Sequence, residues 1–158
     1  MNGQSRSRCA AFTLTEIMVT VSVIVVIAAI AIPAYRKARA TSKIKVAESE
    51  LAMLAAAVKQ LAWDTRRWPG GALRNDPNAP RILNLTTNGT GLMEAHATNF
   101  PSNWKGPYIS SVPNDPWGHP YFFDPEYLIG GQRLPAVGSY GPNGQGTNDA
   151  DNLYCTVD

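Results

Sequence analysis

Apolar and polar positions change their pattern several times along this chain. Residues 1–11 are polar and basic, with Arg6 and Arg8 and no acid. From Ile17 to Tyr35 run nineteen residues without a charge. As a helix at about 1.5 Å per residue they span roughly 28 Å, close to the hydrocarbon thickness of a bilayer. A helix buried in a soluble core keeps a polar stripe, and this one has none. A secretory signal has an apolar run of roughly 7 to 15 residues and a small-residue cleavage site. This run is longer and ends in the charged cluster Arg36, Lys37 and Arg39, which predicts a membrane anchor.

Beyond the anchor the pattern becomes amphipathic. Between Ala34 and Asp64 there is no Gly or Pro, and Ala, Lys, Glu and Leu abound, all strong helix formers. Ile44, Ala47, Leu51, Leu54, Val58 and Leu61 recur at alternating steps of three and four, which makes one apolar stripe. The stripe is too short for a coiled-coil seam, so it predicts a face packed on the protein's own sheet. Pro69-Gly70-Gly71 cannot continue the helix, whose end is expected between Asp64 and Trp68. Residues 69–107 read as a loop-rich connector, punctuated by Asp76-Pro77-Asn78, Pro80, Asn88-Gly89 and Pro101. Tyr121-Phe122-Phe123 and Ala136-Val137-Gly138-Ser139-Tyr140 have strand composition, with Gly130-Gly131 between them as turn material. Two or three antiparallel strands are expected.

The predicted fold is therefore α+β: a long N-terminal helix, half in membrane and half amphipathic, packed on a small antiparallel β-sheet. Five segments follow: residues 1–11 as a leader, 12–35 as the membrane helix, 36–68 as the amphipathic helix, 69–107 as the connector, and 108–158 as the sheet with an acidic C-terminal loop.

Composition adds limits. With 158 residues the chain holds one ordinary domain, and charged residues are only 16%, which fits neither a multi-domain enzyme nor a multispan membrane protein. A net charge of +2 does not single out a nucleic-acid binder. The distribution matters more. Residues 36–67 carry eight basic and three acidic side chains, while residues 106–158 carry Arg133 against six acids. Cys9 and Cys155 make no disulfide framework.

Glu16 stands at the head of the apolar run. A lone carboxylate entering lipid costs several kcal/mol, so it either snorkels to the interface or finds a partner. Ala11-Phe12-Thr13-Leu14-Thr15-Glu16 followed by a long apolar helix resembles the N-terminus of type IV pilins and type II secretion pseudopilins. The resemblance implies that a prepilin peptidase cuts between Ala11 and Phe12 and methylates the new amine of Phe12. It also implies that the apolar helix becomes the core of a filament. The residue before the cut is usually Gly in that family, and here it is Ala11. The new amine of one subunit then offers a partner for Glu16 of the next, and the pair would set their axial register. Pro33 lacks an N–H and is expected to kink or loosen the helix. Such a kink is either merely tolerated or a spot where the helix stretches in a filament.

Asp115-Pro116-Trp117-Gly118 places Asp, Pro and Gly at the first, second and fourth positions preferred by a type I turn. The turn is expected to swing Trp117 inward. With Gly106-Pro107-Tyr108 before it and His119-Pro120-Tyr121 after it, the segment is similar to a signature of the major pseudopilin of type II secretion. Together the resemblances cover about residues 10–65 and 105–152.

In Ser139–Asp151 the aspartates Asp149 and Asp151 share one side of an extended stretch beside a Gly-rich loop. By residues alone this is either a solvated loop or a weak calcium site, and it lacks the EF-hand spacing. The resemblance implies Ca2+, held by Asp149 and Asp151 with Asn143 and Asn148 of the loop. Asn143 stands where the family has Asp and the loop is shorter, which predicts weaker affinity.

No nucleophile elbow, phosphate loop or spaced metal-ligand set is present, and His96 and His119 lie far apart. An enzyme is not expected. The resemblance implies a structural function: a single-pass inner-membrane subunit, its head in the periplasm, that polymerises into a pseudopilus driving protein export. The alternative is a pilin or minor pilin used for adhesion, motility or DNA uptake. The implied partners are further copies, other pseudopilins, the inner-membrane assembly platform and the prepilin peptidase, with no nucleic acid.

Overall fold

The structure is a computed structural model that describes residues 12–95, 98–100, 103–146 and 149–157. Two compact units divide the chain, residues 1–41 and 42–158. The long helix α1 (Leu14–Thr65) begins in the first and ends in the second.

In the first unit α1 is the only regular element among the described residues. Its apolar side chains from Ile17 to Ile32 have no neighbours to cover them and stand exposed. The hydroxyls of Thr20 and Ser22 donate to the carbonyls of Ile17 (2.9 Å) and Met18 (2.7 Å), so neither hydroxyl is left unpaired along the apolar stretch. This is the one helix long and apolar enough to cross a membrane among the described residues. The helix continues through Pro33. Proline withdraws only its own N–H from the ladder, and the turns on either side still close.

In the second unit the amphipathic stripe does what its spacing demands. Ala47, Leu51, Leu54, Val58 and Leu61 are buried, joined by Ala55, Ala57 and Ala62, whose small side chains let neighbours approach closely. Ile44 is the exception at 38% exposure: it lies one turn before the contact with the core begins. The helix stops at Thr65, inside the expected window. Thr65 Oγ1 bonds back to the carbonyl of Leu61 (2.7 Å), and Arg66 turns the chain with a left-handed φ of 58°.

Three antiparallel strands follow in the order β1 (Phe122–Ile129), β2 (Gln132–Ser139), β3 (Leu153–Thr156). Gly130 and Gly131 join the first two at φ 58° and 85°, a two-residue hairpin turn that non-glycine residues rarely form. The sequence named only the first residues of β1, because Asp124-Pro125-Glu126 reads as a break. That break is a bulge: the register shifts between Asp124 and Tyr127, leaving Pro125 and Glu126 opposite Pro135. The bulge also reverses the alternation of faces. Phe123 and Val137 join the core with α1, whereas Phe122, Tyr127 and Ala136 form a second cluster. Without the extra residue Tyr127 would point the other way.

The connector holds no long element, as expected, yet it is no mere linker. Leu85, Leu92 and Phe100 are buried in the same core as Leu51 and Leu54. Ile82 exchanges both backbone hydrogen bonds with Phe123 at 2.8 Å, and Leu85 N–H donates to Tyr121 O at 2.8 Å.

Candidate functional site

At the start of α1, Thr13 and Glu16 form a reciprocal cap. Thr13 N–H donates to Glu16 Oε2 at 2.8 Å, and Glu16 N–H donates to Thr13 Oγ1 at 3.3 Å. The Thr13 hydroxyl also donates to Oε2, at 2.8 Å. Sequence reading considered only an interface role or an intersubunit partner for Glu16; the Thr-x-x-Glu spacing was the available signal for this third arrangement. Oε1 has no donor among the described residues. A shallow depression of about 400 Å³ lies here, lined by Phe12, Thr15, Glu16, Val19 and Thr20. Phe12 itself is exposed, and Ala11 lies outside the described residues.

The Asp115 turn forms as expected, with Gly118 N–H donating to Asp115 O at 2.9 Å and Gly118 at φ 98°. The group that goes inward is not Trp117 but Asp115, 4% exposed. Its Oδ1 accepts the N–H groups of Trp117 (3.0 Å) and His119 (2.7 Å), and its Oδ2 accepts the Ser139 hydroxyl (2.6 Å). A buried carboxylate needs such donors. Trp117 stays half-exposed, its ring 5.9 Å from Lys43 Nζ. His119 Nδ1 lies 3.1 Å from Gly141 O, so the turn also braces the start of the acidic loop.

Gly106-Pro107-Tyr108 earns its place by a long-range bond. The Tyr108 hydroxyl donates to Asp64 Oδ2 at 3.1 Å, and Lys105 Nζ lies 3.4 Å from Asp64 Oδ1. Desolvation pushes the Asp64 carboxyl up, but hydrogen bonds from Gln60 and Tyr108 and the Lys105 charge outweigh it, so its pKa is lowered. The Tyr108 phenol is raised, chiefly by burial. Glu50 and Tyr121 form a second tie, 2.5 Å long, between α1 and the residue before β1. Arg81 and Asp124 form a third, at 2.6 Å. No local sequence pattern announces such pairs.

In the acidic loop Asp149 and Asp151 converge on Asn143. Its Nδ2 donates to Asp151 Oδ1 at 2.9 Å and lies 3.4 Å from Asp149 Oδ2, while its Oδ1 accepts Gln145 N–H at 2.7 Å. Asn148 lies outside the described residues. No group of three or more His, Cys, Asp or Glu that could hold a metal occurs among the described residues. Two further observations bear on a cation. A Cβ on Gly141 would collide with the Asp151 carbonyl, and one on Gly146 with the Asp149 carboxylate, so both glycines let the loop close on its acids. Asn152 Oδ1 is buried and accepts no hydrogen bond among the described residues. The site thus offers two carboxylates and nearby amide oxygens, a hard-oxygen set that fits calcium. Asn143 must turn to present its oxygen. Cys155 is a free, half-buried thiol in β3.

A long apolar helix with a capped carboxylate at its head, continuing onto a three-stranded sheet, defines a pilin-like protein. The type II secretion system (T2SS) protein G family matches residues 35–154, and the prokaryotic N-terminal methylation motif matches residues 6–32. The chain belongs to the type II secretion system protein G family. The match runs through the connector, which the sequence resemblance had left out. The type II secretion system core protein G of Pseudomonas aeruginosa is 30% identical over 92% of this chain and 94% of its own length. Proteins of the same name from Pectobacterium carotovorum and Klebsiella pneumoniae are 30% and 29% identical, over 93% and 87% of this chain and 85% and 87% of their own lengths. No solved structure matches at comparable significance.

Proposed function

We infer that this chain is a structural subunit which polymerises through its N-terminal helix into a periplasmic pseudopilus and so drives protein export by type II secretion. The observation that carries this is the exposure of every large apolar side chain of α1 from Ile17 to Ile32, headed by Glu16. Such a surface needs lipid before assembly and other helices after it. The helix holds the subunit in the inner membrane by a single pass, with residues 42–158 in the periplasm. A prepilin peptidase cuts between Ala11 and Phe12 and methylates Phe12. Glu16 keeps Oε1 for the incoming amine of a neighbouring copy, and Pro33 gives the packed helix a place to yield. Other pseudopilins and an inner-membrane assembly platform complete the partner set. The family is one of secretion components rather than enzymes.

Calcium belongs to the same reading. Asp149 and Asp151, with Asn143 and Asn148, would hold it, and the ion would supply a charge that pins the loop to β3.

The test is to express the chain with a prepilin peptidase and follow filaments by electron microscopy and neighbour crosslinking. Glu16→Leu is expected to insert in the membrane and fail to form ordered filaments; normal filaments from it would remove the pairing role. Intact mass should show a chain that starts at methylated Phe12, and recovery of uncut chain alone would remove the processing claim.

A further inference from the structure

The loop that carries Asp149 and Asp151 starts at Gly141, shortly after β2, and both backbone groups of that glycine are held from outside the loop. Its N–H donates to Ser139 Oγ at 3.0 Å, and its carbonyl faces His119 Nδ1 at 3.1 Å. A carbonyl only accepts, so Nδ1 is the donor in that contact. The Ser139 hydroxyl, fully buried, donates to Asp115 Oδ2 at 2.6 Å, and Asp115 Oδ1 accepts the His119 N–H at 2.7 Å. Asp115, Ser139, Gly141 and His119 therefore form a closed circuit, in which each residue is fixed by two others.

Gly141 is where this circuit meets the acids. Its φ of 66° lies in the left-handed region that favours glycine, and the backbone of Asp151 lies directly against it. The short helical turn Gly141–Asn143 ends on the amide whose Nδ2 donates to Asp151 Oδ1 at 2.9 Å. Gly144, the next residue, lies against the His119 ring, where a Cβ would collide with Nε2. The circuit thus fixes one side of the loop at the level of Asp151. The Asp115 carboxylate is engaged on both oxygens, so its part is to hold the loop.

We propose that the Asp115–Ser139–Gly141–His119 circuit positions the calcium-binding loop, so that Asp115, Ser139 and His119 set calcium affinity without touching the ion. The proposal rests on the calcium reading above and adds the residues that determine where its aspartates stand. A loop whose first residue is already fixed gives up less conformational freedom when an ion draws its carboxylates together. Coupling of this kind is reciprocal: a circuit that holds the ligands in place is itself held closed by the bound ion.

Calorimetric titration with calcium chloride tests it, on the full-length chain in detergent, with each variant shown to be folded by circular dichroism. Ser139→Ala breaks the circuit at two bonds and is expected to weaken calcium binding roughly 10- to 100-fold. His119 is partly exposed, so its side chain can be exchanged without opening the core. His119→Phe removes the Nδ1 donor and should weaken binding, whereas His119→Asn, which offers an N–H in the same place, should restore most of it. Tyr108→Phe lowers stability through a bond outside the circuit and should leave the affinity unchanged. Amide exchange at Trp117 and His119, whose N–H groups donate to Asp115, should slow when calcium replaces chelator in the wild type and stay unmoved in Ser139→Ala. Wild-type affinity in Ser139→Ala or His119→Phe, an Asn variant no better than Phe, an equal loss in Tyr108→Phe, or wild-type exchange that ignores calcium would each overturn the positioning role while the calcium site stands. Absence of calcium binding by the unaltered chain would overturn both.

Discussion

The hydroxyl of Tyr108 reaches across 44 positions of sequence to Asp64, one residue before α1 ends. The pair fastens the connector's exit to the last turn of the helix. Lys105 and Gln60 complete the ring of groups around the carboxylate. Tyr108→Phe leaves Asp64 its other partners and removes one bond to a charged acceptor. The midpoint of thermal unfolding should fall by about 2–5 °C, with far-UV circular dichroism unchanged below the transition. An unaltered midpoint would show that the bond contributes nothing.

The same carboxylate sets an acid limit. Its pKa is lower in the folded chain than its ordinary value of 3.8, so the stabilisation is complete above that value and is lost as pH falls through the folded pKa. Wild type should lose stability below about pH 4. Asp64→Asn should flatten that part of the profile. Parallel wild-type and Asp64→Asn curves between about pH 2 and 5 would contradict it.

Alkaline behaviour falls to Tyr121. Burial, then the bond to Glu50, raises its pKa above the ordinary 10.0. A folded pKa above the unfolded one means stability is intact below about pH 10 and declines as pH rises past it. Tyr121→Phe should be less stable at pH 7, because Glu50 loses a partner, yet should lose less on going to pH 11. Denaturant unfolding at the two pH values decides this.

How much of this was legible in advance depended on the range of the forces involved. The long apolar helix, the amphipathic stripe and the Gly130-Gly131 turn are local patterns, and each appears where its residues demand. The Asp115 turn was legible as a turn but not in its sense, because inward placement follows from Ser139, whose hydroxyl arrives from 24 positions away. The extension of β1 through Tyr127 went unnamed for want of the bulge, and β3 went unnamed because Leu153–Thr156 is short and gains its form from β2. The burial of Leu85, Leu92 and Phe100 was hidden by the turn residues around them. Of the acidic loop, Asp149, Asp151 and Asn143 were named together, but that the Asn143 amide turns its N–H to the carboxylates was not legible.

Asp115 is the most exposed to substitution of these tertiary groups. Asp115→Ala strands the N–H groups of Trp117 and His119 and the Ser139 hydroxyl, and should cost about 2–4 kcal/mol. Asp115→Asn, which keeps one acceptor, should cost less. Equal, small effects from both in urea titrations would mean water replaces the carboxylate.

If calcium binds at Asp149 and Asp151, a calcium concentration of about 100 times Kd should stabilise the detergent-solubilised chain by about 2.7 kcal/mol relative to chelator. Hydrogen exchange should show β3 loosening first when the ion is withdrawn. Asn143→Asp should raise the affinity. A midpoint that ignores calcium in both wild type and Asn143→Asp would rule the site out.

The outer edge of β1 bears on what kind of association is open to this molecule. An exposed strand edge invites a strand from another molecule. Here Ile82 already occupies both backbone groups of Phe123, and two residues on Pro125 offers no N–H while the bulge bends the strand away. At this edge a strand from another molecule finds few backbone groups to pair with, so β1 discourages fusion by a shared β-ladder.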